Sequence, residues 1–257
     1  MNPRRFPFTR EISLAVMAYL YVPVVVLIAY SFNANRTATI WTHASVSWYG
    51  RILENPSIQA AAWNSLVLAV CAATAATLLA LLAALSTRRD FLGRGAAETV
   101  LNMPLILPEI VVAVATLLLF VALGVHLGLT AMMAAHTAFC IPFAYLPIRA
   151  RLDGMSGTYE EAAQDLYASR FRTFRRVTMP MLWPGVMAGF TLAFVTSLDD
   201  FLTSFFLSGP GTTTLPVYIF SAIRSGISPE INAISAVMLV VSVLLVALSF
   251  FLGRLRR

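Results

Sequence analysis

The chain has 257 residues, of which 59% are hydrophobic and only 12% are charged, and its formal net charge is +6. Because soluble domains carry about twice that share of charged residues, the composition places the chain in a membrane. All 18 basic residues are Arg, and since a phosphate-binding Walker loop needs a Lys, the chain is not itself an ATPase. The arginines lie beside apolar runs and are not interleaved with aromatic residues, so the positive charge does not indicate nucleic-acid binding.

Six apolar segments are each long enough to cross a bilayer, because a helix needs about 20 apolar residues to span roughly 30 Å of hydrocarbon. In chain order they are Ile12–Phe32, Trp63–Leu85, Thr99–Leu123, Thr130–Ile148, Pro184–Leu207 and Ile231–Leu252. The first is too long for a cleavable signal peptide, and no small-residue cleavage site follows it. Cys71 and Cys140 stand singly inside apolar runs, which favours small core side chains over a disulfide. The pattern predicts an all-α membrane protein with six transmembrane helices, forming a single domain over residues 1–257.

The arginines are distributed unevenly between the segments that connect these spans. With both chain ends in the cytoplasm, the outer segments hold three arginines, Arg36, Arg51 and Arg224. The inner segments hold the other fifteen: Arg4, Arg5, Arg10, Arg88, Arg89, Arg94, Arg149, Arg151, Arg170, Arg172, Arg175, Arg176, Arg254, Arg256 and Arg257. Because basic residues concentrate on the cytoplasmic side of membrane proteins, both termini and the loop between the fourth and fifth spans are predicted to be cytoplasmic.

That loop contains a polar segment with the pattern of a short helix. Thr158 and Glu161 have the spacing of a capping box, and Glu160 and Glu161 suit the positive end of a helix dipole. Apolar side chains recur at i, i+3, i+4 and i+7, which gives one apolar face: Tyr159, Ala162, Ala163 and Leu166. Periodicity alone favours an ordinary amphipathic connector and a docking helix equally.

The same loop, about residues 151–183, resembles the cytoplasmic loop of bacterial ABC-importer permeases. The resemblance rests on Glu-Ala-Ala within Glu160–Leu166 and on Pro180, fourteen residues after Leu166. In that family the loop docks onto a separate ATPase. The residues to which the resemblance gives this coupling role are Glu160, Glu161, Ala162, Ala163, Asp165, Leu166, Tyr167 and Pro180. The family usually has Gly where this chain has Tyr167; if Tyr167 builds the same turn, its left-handed backbone costs about 1–2 kcal/mol.

Further motifs are similar to those of the spermidine/putrescine-type permeases. They are Tyr30-Ser31-Phe32-Asn33, Trp48-Tyr49, Ser197-Leu198-Asp199-Asp200-Phe201, Ser208-Gly209-Pro210-Gly211 and Pro229-Glu230-Ile231-Asn232-Ala233. The resemblance implies the type I ABC importer permease fold in a bacterial inner membrane, with putrescine or spermidine as cargo. It also implies four kinds of partner: a second permease subunit, two ATPase subunits, an extracytoplasmic polyamine-binding protein and the lipid membrane. No catalytic residue, metal or cofactor is expected on this chain, since ATP and Mg belong to the ATPase.

Three acidic residues within the spans are predicted to line a cation pathway together with Phe201. If the fifth span enters near Pro184, Asp199 lies roughly 22 Å along it, and Glu109 lies roughly 16 Å into the third span. Because an ionised carboxylate facing lipid costs about 2.5–3.5 kcal/mol, Asp199, Asp200 and Glu109 should face an interior. Adjacent residues of a helix diverge by about 100°, so one of Asp199 and Asp200 should line the pathway for polyamine ammonium groups while the other pairs with a neighbouring helix or a backbone donor. The structural alternative is that they pair with the partner permease or cap broken helices.

Other features of the spans carry smaller predictions. Pro104 and Pro108 should kink the third span beside Glu109. His136 is expected to be packed or hydrogen-bonded, not metal-bound, and Gly185 and Gly189 have the spacing of close-packed helices, as do Gly124 and Gly128.

Two other functions are compatible with the sequence. One is the same machine carrying another solute, such as ferric iron or an aminophosphonate, although anionic cargo calls for buried Arg and the spans contain none. The other is a self-sufficient cation/proton antiporter that uses Asp199 and Asp200.

Overall fold

The computed structural model describes residues 8–35, 40–88, 90–226 and 229–254, with only the backbone described at residues 225 and 248–254. Its helices are α1 (Thr9–Ser31), α2 (Ser47–Glu54), α3 (Pro56–Ser86), α4 (Arg94–Asn102), α5 (Glu109–Ala122), α6 (Leu129–Asp153), α7 (Thr158–Asp165), α8 (Arg170–Thr173), α9 (Met179–Asp199), α10 (Leu202–Leu207), α11 (Leu215–Ser225) and α12 (Pro229–Arg254). A 3-10 turn, Met103–Leu105, follows α4, and a π-helical turn, Phe174–Thr178, joins α8 to α9. In the described ranges the extended structure is limited to one bridge, between Asn33 and Ala44. The predicted all-α class is confirmed.

Five helices in the described residues are long and apolar enough to cross a membrane, and a sixth span is obtained if the bent pair α4–α5 counts as one. The five are Thr9–Ser31, Pro56–Ser86, Leu129–Asp153, Arg170–Asp199 and Pro229–Ala247. The arginines Arg4, Arg5, Arg36, Arg89, Arg256 and Arg257, which contribute to the predicted orientation, lie outside the described residues.

The third span is bent by 104° between α4 with its 3-10 turn and α5. Pro108 directly precedes α5 and has an extended backbone, with ψ of 130°. Proline cannot donate the backbone hydrogen bond that would continue the helix, and it disfavours helical geometry in the residue before it. The predicted kink beside Glu109 is therefore confirmed, and Glu109 becomes the first residue of α5.

The predicted bounds of the fifth span were wrong at both ends. The helix already begins at Arg170, because the π-helical turn joins α8 to α9, and it ends at Asp199 instead of Leu207. Pro180 and Pro184 therefore lie inside this span. Asp200 has an extended backbone, and its carboxylate accepts hydrogen bonds from the backbone N–H groups of Thr203 and Ser204. Such local capture of backbone donors competes with helix continuation, so the chain breaks and restarts as α10.

The chain divides into two compact units, residues 1–59 with 219–241 and residues 60–218 with 242–257. The first unit contains a polar cluster after α1. There the indole N–H of Trp48 donates to the carbonyl of Asn33 at 2.8 Å, and Ser31 shares a 2.6 Å hydrogen bond with Tyr49. The motif residues Tyr30–Asn33 and Trp48–Tyr49 therefore stabilise a loop structure within this unit. The single domain over residues 1–257 stays a prediction.

The second unit has a core in which small residues of α3, α6 and α9 meet. Fully buried alanines on α3, including Ala73, Ala76 and Ala80, belong to the same cluster as Ala144 of α6 and Ala193 of α9. Small side chains let membrane helices approach closely, where van der Waals contact replaces the hydrophobic effect as the source of stability. Cys140 is buried in this core as predicted, whereas Cys71 is exposed, and both are free thiols.

The glycine pairs behave differently. A Cβ atom on Gly189 would lie 2.6 Å from the carbonyl oxygen of Ala144, and one on Gly185 would lie 2.7 Å from Cβ of Arg151, so α6 and α9 need both glycines to cross. Gly124 and Gly128 instead have φ of 68° and 145° and lie in the turn between α5 and α6. The helix-packing prediction is confirmed for the first pair and wrong for the second.

Candidate functional site

The predicted coupling helix exists as α7, the eight residues Thr158–Asp165. Gly157 precedes it with a helical backbone, and its carbonyl accepts the N–H groups of Glu160 and Glu161. No side chain caps this end, so the predicted capping box between Thr158 and Glu161 is not formed. The physical reason is that Thr158 is already the first helical residue and no longer occupies the capping position.

The turn after α7 has the left-handed geometry for which the family usually has a glycine. Tyr167 has φ of 59°, its N–H donates to the carbonyl of Gln164 at 2.9 Å, and the N–H of Ala168 donates to the carbonyl of Ala163 at 3.0 Å. These two bonds form a Schellman motif, whose left-handed position usually holds Gly. The ring of Tyr167 is 96% exposed, so only the backbone strain remains. Tyr167 thus builds the left-handed turn, which the sequence had left open.

The predicted apolar face of α7 is exposed. Tyr159 and Leu166 are 58% and 82% exposed, and no residue of α7 is buried. Glu161, Ala162 and Asp165 are exposed on the same short helix, whereas Glu160 and Ala163 are half-buried. Pro180 lies at the second position of α9 and is exposed.

Glu160 faces its own chain and is held by two other elements. One guanidinium nitrogen of Arg88, two residues beyond α3, donates to both carboxylate oxygens at 2.8 Å, and the hydroxyl of Thr178 donates to one of them at 2.6 Å. Partial burial raises the pKa of Glu160, but the hydrogen bonds from Arg88 and Thr178 and the charge of Arg88 outweigh it. The pKa therefore lies below its usual value, and Glu160 is a carboxylate at neutral pH.

The three acidic residues predicted from the spans meet at one cavity of about 480 Å³. Its walls come from the bend of the third span, from α6 and from the break after α9. The lining residues are Pro104, Leu105, Leu107, Glu109, Val112, Phe139, Phe143, Thr196, Asp199, Asp200 and Thr203. Phe201 is not among them, and its ring lies 5.4 Å from that of Phe205.

Each acid owes its place to a helix end. Glu109 opens α5, Asp199 closes α9, and Asp200 lies in the extended break between α9 and α10. Irregular backbone inside a membrane protein is tolerated where it lines a cavity, because its unpaired groups can be satisfied there. The two broken spans therefore bring these carboxylates together around one cavity. Unbroken helices would point them in different directions.

Asp199 and Asp200 have different surroundings. Asp199 is exposed, while Asp200 is 6% exposed and lies beside the fully buried imidazole of His136, whose Nε2 is 3.3 Å from Oδ2 of the carboxylate. His136 also contacts the hydroxyls of Ser197 at 2.8 Å and Ser204 at 3.2 Å. The expectation that His136 is hydrogen-bonded is confirmed. Asp200 is the one of the two adjacent acids that pairs with a neighbouring helix and with backbone donors, although His136 was not predicted as its partner.

The missed pairing joins residues 64 positions apart on α6 and the break after α9, so no local pattern announces it. A usable signal is the polarity of three positions in apolar surroundings, since His136, Ser197 and Ser204 each need a partner when buried. Within the described residues, no group of three or more His, Cys, Asp and Glu side chains has the arrangement of a metal site.

Residues 76–256 match the model of the family described as the binding-protein-dependent transport system inner membrane component. This match covers more than half of the chain, and the chain belongs to that family. It is therefore a multi-pass membrane subunit of an ABC importer, the permease and not an enzyme.

Within this family, the chain is similar to permeases of named transport systems. The spermidine/putrescine transport system permease protein PotC of Escherichia coli (strain K12) is 38% identical over 241 residues, which cover 93% of this chain and 91% of PotC. The putrescine transport system permease protein PotI of the same strain is 38% identical over 243 residues, covering 91% of this chain and 86% of PotI. The sulfate transport system permease protein CysT of Salmonella typhimurium is 30% identical over 81% of this chain and 82% of CysT.

Solved structures agree with the fold. A bacterial ABC transporter involved in the import of the acidic polysaccharide alginate matches with a TM-score of 0.71 at 14% identity, covering 94% of both chains. A bacterial alginate ABC transporter in complex with an alginate pentasaccharide-bound periplasmic protein matches with a TM-score of 0.65 at 17% identity, covering 96% of both chains. At these identities the likeness concerns the fold, which is that of the type I ABC importer permeases.

Proposed function

We propose that this chain is the permease through which an ATP-driven importer moves polyamines, putrescine or spermidine, across a bacterial inner membrane. The observation that carries the proposal is the cavity lined by Glu109, Asp199 and Asp200. The similarity of this chain to PotC and PotI over nine-tenths of its length supports the same cargo. The chain is also 30% identical to a sulfate transport system permease. Sulfate is an anion, and a cavity lined by three carboxylates does not suit an anionic cargo.

The chemistry of the cavity suits a flexible cation with separated ammonium groups. Asp199 is exposed and can approach an ammonium group, whereas Asp200 is buried and already has partners. Glu109 enters from another span, which supplies a second anionic position for the other end of a diamine. The rings of Phe139 and Phe143 line the same cavity, and aromatic faces attract ammonium groups. Phe201 is not part of this lining, and its ring packs against that of Phe205 just after the break.

The coupling role of α7 rests on its exposed apolar face. Small Ala162 between the larger Tyr159 and Leu166 leaves room for the helix to seat in a groove of an ATPase. ATP-driven closure of two ATPase subunits would move α7 and switch the pathway from outward-open to inward-open. The ATP and Mg stay on the ATPase, a second permease completes the pathway, and an extracytoplasmic polyamine-binding protein delivers the cargo.

The proposed orientation places both termini and α7 in the cytoplasm, on the basis of the arginine distribution. Single cysteines in a background without Cys71 and Cys140 test it. An impermeant thiol reagent applied from outside should label positions 51 and 208 but not 168. Labelling of position 168 would contradict the cytoplasmic assignment of α7.

The function is tested by reconstituting the four kinds of subunit in proteoliposomes and measuring uptake of radiolabelled putrescine and spermidine. ATP-dependent uptake that requires the binding protein is expected. ATP-dependent uptake of ferric iron or an aminophosphonate, with no polyamine uptake, would assign another cargo to the same machine. Uptake that persists without the ATPase and follows a proton gradient would favour the antiporter.

A further inference from the structure

The side of α7 that faces its own chain is held by one carboxylate. Glu160 binds Arg88, just beyond the end of α3, and Thr178, immediately before α9, at distances of 2.6–2.8 Å. A guanidinium–carboxylate pair with hydrogen bonds to both oxygens is stronger than a neutral hydrogen bond. One side chain of the coupling helix therefore joins the ends of two spans.

Little else fixes α7 to these spans. No residue of α7 is buried, and among the residues the structure describes, Glu160 is the α7 side chain that hydrogen-bonds to other helices. A cavity of about 550 Å³ lies beside the junction, lined in part by Arg88, Glu160, Gln164 and Thr178. The position of α7 thus depends on polar contacts at one point more than on close packing.

The contacts at this junction also reach α6. The hydroxyl of Thr87, next to Arg88 in the chain, shares a 3.0 Å hydrogen bond with the hydroxyl of Tyr145 and accepts one of 3.2 Å from Arg149. Tyr145 and Arg149 lie on α6. The cytoplasmic end of α3 is therefore attached to α6 at the same level at which Arg88 binds α7.

The covalent route from α7 to α9 is not one continuous α-helix. It runs through the left-handed turn at Tyr167, the short helix α8 and the π-helical turn Phe174–Thr178. π-helical turns often mark functional positions in helices. A displacement of α7 can be absorbed along this route unless a direct contact, such as that between Glu160 and Thr178, bypasses it.

From this geometry we infer that Glu160 is a tether that makes the cytoplasmic ends of α3 and α9 follow the coupling helix. The inference rests on the proposed function and adds a division of labour between adjacent acids. Exposed Glu161 is available to the ATPase, whereas Glu160 is a positioning residue that contacts neither cargo nor nucleotide. Loss of the tether leaves the ATPase bound and active but wastes hydrolysis.

The test is the number of polyamine molecules imported per ATP hydrolysed by the complete importer in proteoliposomes, with ATPase retention during co-purification measured in parallel. Glu160→Gln preserves size and removes the charge, and should lower this ratio on the order of fivefold while the ATPase is retained. The matched control is Glu98→Gln, which removes an ion pair with Arg94 of 3.0 Å inside the single helix α4, and should leave the ratio unchanged. The exchange Arg88→Glu with Glu160→Arg should restore at least half of the lost coupling.

The inference is overturned if Glu160→Gln imports as many molecules per ATP as the unaltered chain, or if the charge exchange performs no better than the single variant. Should Glu160→Gln fail to assemble, Arg88→Gln and Thr178→Val each remove one partner and keep the carboxylate, and normal ratios in both would also overturn it. An unaltered chain without ATP-driven uptake removes the proposed function, and the inference falls with it.

Discussion

Helix α7 and the acidic cavity both present carboxylates near helix ends, but the partners of those carboxylates lie in different places. Around the cavity, Asp200 is buried and its oxygens contact His136 and the backbone of α10. On α7, Glu161 and the apolar face beside it are exposed. The buried acid has its partners inside the subunit, whereas the exposed apolar face of α7 has contacts to gain only from another protein. Substitutions on α7 should therefore affect ATPase binding, whereas substitutions of buried residues at the cavity should affect the stability and assembly of the subunit.

The largest expected effect comes from filling the exposed face of α7. Ala162→Trp should lower ATP-driven uptake by at least about tenfold, because a bulky ring prevents the close seating on which interface anchors depend. The measurements are ATP-driven uptake and the amount of ATPase that co-purifies with the membrane complex, and both should fall. The control is Ala96→Trp on α4, another exposed alanine, which should retain the ATPase. A normal amount of ATPase with Ala162→Trp would refute docking through this face.

Removing the buried histidine should affect the subunit before it affects transport. His136→Leu leaves the carboxylate of Asp200 without its imidazole partner, and leaving a buried polar group without a partner typically costs about 1–3 kcal/mol. The yield of monodisperse, assembled complex and its thermal unfolding temperature should both fall. In the double variant with Asp200→Leu the loss should be smaller than the sum of the single losses, and strict additivity would show that the two side chains do not interact.

Neutralising the exposed acid should have the opposite profile. Asp199→Asn keeps the size of the side chain but removes its attraction for an ammonium group, so uptake per assembled complex should fall on the order of tenfold. Basal ATP hydrolysis and assembly should persist. The comparison is with Asp200→Asn, in which the assembled fraction should fall first. Wild-type uptake in both variants and in their combination would remove the electrostatic part of the polyamine proposal.

The two regions also differ in how far the sequence could predict them. The helix α7 and its apolar face depend on residues within about ten positions of one another, so local spacing predicted them, although it left the turn at Tyr167 open and predicted a capping box that is not formed. The cavity needs two broken spans, and only the break beside Pro108 has a local signal. The break at Asp200 depends on a side chain that captures backbone N–H groups and on an imidazole 64 residues earlier. Such tertiary partners override the apolar pattern that suggested a helix continuing to Leu207.

The smallest expected effect, and the sharpest check of local geometry, is Tyr167→Gly. The Schellman turn after α7 requires φ near 59°, which glycine adopts without the steric cost of a Cβ atom. The tyrosine ring is 96% exposed, so its removal sacrifices no packing inside this chain. We expect stability to rise by at most about 1 kcal/mol, since glycine's greater freedom in the unfolded chain offsets part of the relieved strain. Thermal unfolding of the purified complex measures the change in stability, and polyamine uptake per ATP measures any change in coupling. Unchanged or slightly higher stability with normal uptake fits a ring that only occupies the glycine position of the turn. A clear loss of ATPase binding would instead assign the Tyr167 ring to the docking surface, beside Leu166.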